Sequence, residues 1–155
     1  MKKAHEMLND ILVILFNEIL DIEEEALCVG EFSDISVNDM HIMEAIGLEE
    51  PQNMSSVAKK MSVTMGTLTV CMNSLVKKKY VERTRSDEDR RVVYLSLLPK
   101  GERACAHHAA FHAEMIEAVE AGMDEKEMKV LIGSLNRLEK FFQKYMTLED
   151  KVIDN

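Results

Sequence analysis

Two sets of side chains in this sequence have the types and spacing to do chemistry. The first is polar and basic: Thr64, Gly66, Thr67, Thr69, Val70 and Asn73 in one helical run, Lys77 at its end, and Arg85, Arg90 and Arg91 farther on. Short hydroxyls, small groups and a carboxamide can lie against base edges and thymine methyls in a major groove. Thr64 and Thr67, at the dipole-positive start of that helix, and Lys77 to Lys79 beyond its end suit phosphate oxygens. Asn73 is the candidate for bidentate reading of adenine, against the alternative of an Asn that merely faces solvent. Arg90 and Arg91 follow the acidic turn Ser86-Asp87-Glu88-Asp89. An arginine there can enter a narrow minor groove, with Asp89 holding it in place.

The second set could hold a metal. Cys105, His108 and His112 are spaced i, i+3, i+7 on one helix face, His41 lies on an earlier helix, and Glu23-Glu24-Glu25 closes the first. If these segments meet, Glu24, His41, His108 and His112 offer a near-tetrahedral Zn²⁺ site with ligands at about 2.0–2.2 Å. The competing account has the histidines hydrogen-bonded to backbone and acids. No Gly-rich phosphate loop, HExxH or GxSxG motif occurs, and Cys71 lacks a nearby base. The chain is therefore not expected to be an enzyme, and no cofactor is required of it.

The elements that must position these groups are legible as patterns. Ser55–Met61 and Thr64–Lys78 read as two abutting helices, with Val57, Ala58, Met61, Val63, Leu68, Met72 and Leu75 inward and Thr64 as the N-cap of the second. Two β-rich runs follow, Tyr80–Arg85 and Arg91–Leu98. Two crossing helices and a hairpin make a winged helix-turn-helix, placed at residues 36–100. Before it, residues 4–27 form a helix with Leu8, Ile11, Leu12, Leu15, Ile19 and Ile22 on one stripe, and Asn38 is the expected N-cap of a helix ending near Gly47. Pro51-Gln52-Asn53 reads as a loop.

After Gly101, Ala104, His108, Phe111, Met115 and Ala118 form a helical seam, and Asp124 caps a last helix striped by Met128, Leu131, Leu135, Leu138, Phe142 and Tyr145. A small winged domain cannot cover so much apolar surface. Residues 1–30 and 101–148 are thus predicted to be a helical dimerisation region, the alternative being an intramolecular bundle. Residues 149–155 are expected to fray. The fold class is mainly α with a small β-wing.

Bulk composition narrows the partners. The net charge is −9, but residues 55–103 hold 11 Lys/Arg against five Asp/Glu, a net of +6, so the remainder carries −15. A basic module on an acidic body binds phosphate locally while the body resists non-specific adsorption. Three widely spaced cysteines with no CxxC pair fit a reducing cytoplasm, and no apolar run is long enough to span a membrane.

The stretch Asp89-Arg90-Arg91-Val92-Val93-Tyr94-Leu95-Ser96-Leu97, followed by Gly101, resembles the wing signature of MarR-type transcription regulators. The helix order is similar to theirs from Leu8 to Tyr145. The resemblance implies a homodimer whose two recognition helices, Thr64–Asn73, address a palindromic site in double-stranded DNA, with half-sites about 34 Å apart. It also implies that Arg90 and Arg91 form a minor-groove wing. Leu98 replaces the Thr usual before the next helix, and Lys79 stands where a Gly often closes the recognition helix.

Ile22-Glu23-Glu24, Asp34-Ile35-Ser36, Met40-His41, Tyr80-Val81-Glu82-Arg83 and Phe111-His112 further resemble the fatty-acid-biosynthesis repressors of Gram-positive bacteria (FabT type). That likeness implies long-chain acyl-acyl-carrier protein as co-repressor, and an acyl pocket lined by Phe16, Met40, Met43, Phe111 and Met115. His41, His108 and His112 are also similar to histidines of the zinc-uptake repressor in the same family, which implies a zinc-responsive repressor as the alternative. A DNA-free helical interaction module is the alternative from a different class.

Overall fold

The computed structural model describes residues 2–153. In chain order these form α1 (Lys2–Leu27), a 3₁₀ turn (Gly30–Phe32), α2 (Val37–Ile46), β1 (Gln52–Asn53), α3 (Met54–Lys60) and α4 (Met65–Lys77). There follow β2 (Val81–Arg85), β3 (Val93–Leu97), α5 (Pro99–Glu120) and α6 (Glu125–Ile153). The chain divides into two compact units, one ending at His112 and one beginning at Ala113.

α1 is free of Gly and Pro until Gly30, whose φ of 56° turns the chain away. Its stripe is not covered: Leu8, Ile11, Leu15, Ile19 and Ile22 are 39–57% exposed. The cap of α2 is Ser36, two residues before the expected Asn38. Ser36 Oγ accepts from the Asp39 amide at 3.2 Å, while Asp39 returns the bond to the Ser36 amide at 3.1 Å. This reciprocal capping box satisfies two amides at once, which Asn38, already inside the helix, cannot do.

Gln52 and Asn53 are also not a loop. They pair antiparallel with Leu95 and Tyr94, making a three-stranded sheet of order β1-β3-β2. Asn53 then caps α3, its Oδ1 accepting from the Ser56 amide at 2.8 Å. Two polar residues are too few for an alternating pattern to reveal a strand. In the wing, β2 and β3 pair from Val81↔Leu97 to Arg85↔Val93.

The core of the first unit joins α2, α3, α4 and the sheet through Met40, Met43, Ile46, Val57, Leu68, Met72, Leu75 and Leu95, all buried. Met61 and Val63 pack on its edge, as predicted. The α3–α4 connection is tight because Ser62 takes a φ of 54° and the Val63 amide reaches back to the Ala58 carbonyl. α4 closes the same way: Lys79 has a φ of 62°, and the Tyr80 amide donates to the Leu75 carbonyl at 3.0 Å. A lysine thus occupies a left-handed position that glycine would hold without strain.

Tyr80 is fully buried and anchors three directions. Its carbonyl accepts from the Leu98 amide at 2.9 Å, and a Cβ at Gly101 would stand 2.3 Å from that same carbonyl oxygen. Its hydroxyl donates to Asp34 Oδ1 at 2.6 Å and to the Glu31 carbonyl at 3.1 Å. Lys100 lies 4.1 Å over the Tyr80 ring and 3.4 Å from the Asp34 carboxylate, Lys78 donates to the Asp34 carbonyl, and Arg103 grips Glu31 at 2.7 and 3.1 Å.

In the second unit, Asp124 caps α6 by accepting from the Lys126 and Glu127 amides at 2.7 and 2.8 Å. Leu135 and Phe142 on its predicted stripe are exposed, and Met128, Leu131 and Leu138 are half-buried. α6 continues through Ile153; residues 154 and 155 of the expected frayed tail lie outside the described residues.

Two outcomes are expected. Gly101→Ala lowers unfolding free energy by about 3 kcal/mol, because the added methyl meets rigid backbone, and the urea midpoint drops accordingly. The Tyr80 hydroxyl and then Lys100 hold the Asp34 carboxyl below its ordinary value of 3.8. A depressed carboxylate contributes stability that is fully present above the unfolded value and lost as pH falls through the folded one. Asp34→Asn is therefore less stable than the parent at pH 7, and the gap between their melting temperatures closes below about pH 3.8.

Candidate nucleic-acid interface

α4 presents its reading face because α3 and the sheet take the opposite one. Leu68, Met72 and Leu75 are buried, so Thr64, Met65, Gly66, Thr67, Thr69, Val70 and Asn73 are left exposed. Thr64 is the N-cap: its Oγ1 accepts from the Thr67 amide at 3.2 Å and lies 3.0 Å from the Thr67 hydroxyl. Thr69 Oγ1 donates back to the Met65 carbonyl at 2.7 Å, which turns its methyl outward. A Cβ at Gly66 would meet only Thr64 Oγ1, at 3.8 Å. Internal packing therefore does not require glycine there. Val70, at 70% exposed, and Met65, at 45%, are apolar groups on this face.

The wing is pinned at its tip. The Ser86 hydroxyl accepts from the Glu88 and Asp89 amides at 3.2 and 3.3 Å. Asp89 accepts from Arg91 three times, from the amide at 3.0 Å, Nε at 3.1 Å and Nη2 at 3.2 Å. The Arg91 guanidinium holds the Asp89 carboxyl below the usual range. Arg85 and Arg90 are exposed on the same hairpin. Lys77 is exposed as well, but Lys78 is turned inward onto Asp34 and is withdrawn from the phosphate-facing set. Val93, Leu95 and Leu97 are the faces that hold the wing to the helices.

One participant was not anticipated. Arg83 on β2 reaches α4, its Nη1 donating to Asn73 Oδ1 at 2.8 Å and its Nη2 to the Thr69 carbonyl at 3.3 Å. The signal in the sequence was the period of two that places Arg83 and Arg85 on one strand face.

A second constellation lies behind this interface. Among the described residues, Glu23, His41, His108 and His112 each bring one ligand atom to within 4.8 Å of the others. The carboxylate is Glu23 and not Glu24. Glu23 is buried, whereas Glu24 turns one helical step away and accepts from the Val37 amide at 3.4 Å. Cys105 is not part of the group; burial pushes its thiol up to about 11. His108 Nδ1 bonds the Glu44 carboxylate, an acceptor only, so the proton sits on Nδ1 and Nε2 offers a lone pair. That Nε2 faces His112 Nε2 at 3.0 Å, and His112 Nε2 faces Glu23 Oε1 at 3.3 Å.

The His108–His112 and His112–Glu23 spacings are close to the ligand-to-ligand edge of a tetrahedral zinc site, about 3.3 Å for bonds near 2.0 Å, and the three imidazoles and one carboxylate are donor types that zinc takes. Glu44 would orient His108 from behind. The same atoms also satisfy one another without a metal, through a His112 proton shared by His108 and Glu23.

The five residues expected to line an acyl pocket have different surroundings. Met40 and Met43 are fully buried core, Phe111 packs on the core edge, Phe16 is half-exposed on α1, and Met115 belongs to the second unit. A cleft of about 580 Å³ opens instead beside the end of α2, lined by Glu44, Ala45, Leu48, Lys60, Cys105 and Ala109 among others.

Comparison with known proteins agrees with this geometry. Residues 35–93 match the MarR family. The chain is 28% identical over 93 residues to the uncharacterised HTH-type transcriptional regulator YhjH of Bacillus subtilis, covering 60% of this chain and only 50% of YhjH. It is 30% identical over 105 residues to the transcriptional regulator SarZ of Staphylococcus haemolyticus, covering 68% of this chain and 70% of SarZ. Among solved structures, Streptococcus pneumoniae FabT in complex with DNA superposes with a TM-score of 0.81 and 39% identity, over 90% of this chain and 98% of that one. No described helix is long and apolar enough to cross a membrane. With its helix pair, its pinned wing and these relatives, the chain belongs to the MarR family of winged helix-turn-helix, DNA-binding transcriptional regulators.

Proposed function

We propose that this regulator is a homodimeric, cytoplasmic repressor of fatty-acid-biosynthesis genes, with long-chain acyl-acyl-carrier protein as its co-repressor. The observation that carries this reading is the 39% identity to FabT across 90% of the chain. The homodimer is supported by the uncovered stripe on α1 and by exposed Leu135 on α6, apolar surface of the kind that a second copy buries. Two copies related by a two-fold axis place two α4 helices on a palindromic operator, and the ligand sets their spacing by favouring one dimer geometry. Thr64, Gly66, Thr67, Thr69, Val70, Asn73 and Lys77 address the major groove and its phosphates, while Arg85, Arg90 and Arg91 address the wing side.

A second reading rests on the histidine cluster. Glu23, His41, His108 and His112 have the donor types and spacing for Zn²⁺, which would make the regulator zinc-responsive.

Fluorescence anisotropy on a palindrome from a fatty-acid-synthesis promoter, run in chelator, separates the two. Acyl-acyl-carrier protein is expected to tighten binding on the order of tenfold. No change with the acyl carrier, together with tightening by added zinc, would transfer the control to the histidines. In that case His108→Ala with His112→Ala abolishes bound zinc in the purified protein. Replacing Arg90 and Arg91 together by Ala should weaken operator binding by at least about tenfold while sedimentation still reports a dimer. Unchanged affinity removes the wing from the interface.

A further inference from the structure

Arg83 lies between the two parts of the interface, on the wing's first strand but bonded to the reading helix. Its guanidinium spans one turn of α4, from the Thr69 carbonyl at 3.3 Å to Asn73 Oδ1 at 2.8 Å. A guanidinium carries donors only, so the atom of Asn73 that meets it must be the carboxamide oxygen. The nitrogen Nδ2 is the other half of the same exposed carboxamide and its only donor. Bidentate recognition of adenine uses the oxygen and the nitrogen of an Asn together. Here the oxygen is engaged by Arg83 and held against the protein.

We infer that Arg83 is a specificity-determining positioning residue: by drawing the Asn73 oxygen onto the protein it makes the carboxamide meet the major groove through its Nδ2 donor first. This rests on the reading of α4 as the DNA-reading helix. A group that leads with its donor favours a base that shows an acceptor, namely a purine N7, guanine O6 or thymine O4, over the amino edge of cytosine. This reading competes with bidentate adenine reading by Asn73, and the same measurements separate the two. The arrangement also ties selectivity to the wing, because a shift of β2 along α4 releases the carboxamide to rotate.

The test measures affinities of the full chain for an operator series in which each half-site position carries all four bases. The set comprises the parent, Asn73→Ala, Arg83→Ala, Arg83→Lys and the double variant. All of these sites are exposed, and melting temperatures check that each variant is folded. Asn73→Ala locates the contacted position, where the parent is expected to reject cytosine by about tenfold. Arg83→Ala should shrink that rejection to about twofold at the same position, and the double variant should show no further loss. Arg83→Lys keeps the charge without the planar fork and should retain affinity while losing selectivity.

If Arg83→Ala weakens all operators equally and lowers the salt slope by about one, Arg83 is a phosphate contact and the positioning role is overturned. If Asn73→Ala changes no base preference, Asn73 touches no base and the inference falls with α4 still able to bind. A parent chain that binds no duplex at low salt overturns the reading of α4 itself.

Discussion

The approach of the Tyr80 carbonyl to Gly101 is the constraint on which the winged unit is built. At 2.3 Å from a hypothetical Cβ, the contact leaves room for no side chain, so α5 is pressed against the end of α4. The same residue ends α4 by its amide, starts the approach to β2, receives the chain at Leu98 and reaches Asp34 with its hydroxyl. Burial, followed by the Asp34 carboxylate, raises the hydroxyl above the usual tyrosine range, so it stays a donor at every physiological pH. The end of α4, the start of α5 and the turn at Asp34 are thereby referred to one residue, through its backbone and its hydroxyl together.

The histidine cluster works on the neighbouring elements. Glu23 is on α1, His41 and Glu44 are on α2, and His108 and His112 are on α5. α2 leads within a few residues to β1, which is hydrogen-bonded to the wing, and then to α3. Whatever draws these side chains together or apart acts on the supports of α4, leaving its reading face chemically unchanged. In the proposed function, ligand response and base recognition therefore fall on different residues.

Much of this was legible in the sequence, for reasons that can be named. The α4 face followed from period 3.6, because Leu68, Met72 and Leu75 had to be buried and the threonines between them did not. The Thr64 cap, the wing strands and the Asp89–Arg91 pair followed from local chemistry alone, whereas the left-handed position at Lys79 was suggested by the family resemblance, in which a Gly often stands there. What the sequence hid was non-local or too short to show a period. β1 is two residues, visible only once β3 lies beside it. Ser36 displaced Asn38 because a cap is chosen by what stands three residues on. Glu23 and Glu24 are adjacent, and only the packing of α1 decides which one is buried. Arg83 was missed because its partners lie 10 and 14 residues away on another element.

The three-stranded sheet has one more consequence. A sheet's outer strands carry unpaired backbone groups that can recruit a strand from another molecule. Here β3 is central; one edge is β1, only two residues long, and the other is β2, which bears Glu82, Arg83 and Arg85. A template so short on one side and so charged on the other offers little to a neighbouring chain. The arginines proposed to face nucleic acid thus also guard the sheet against edge-to-edge association. The same charges would serve colloidal behaviour as well as recognition.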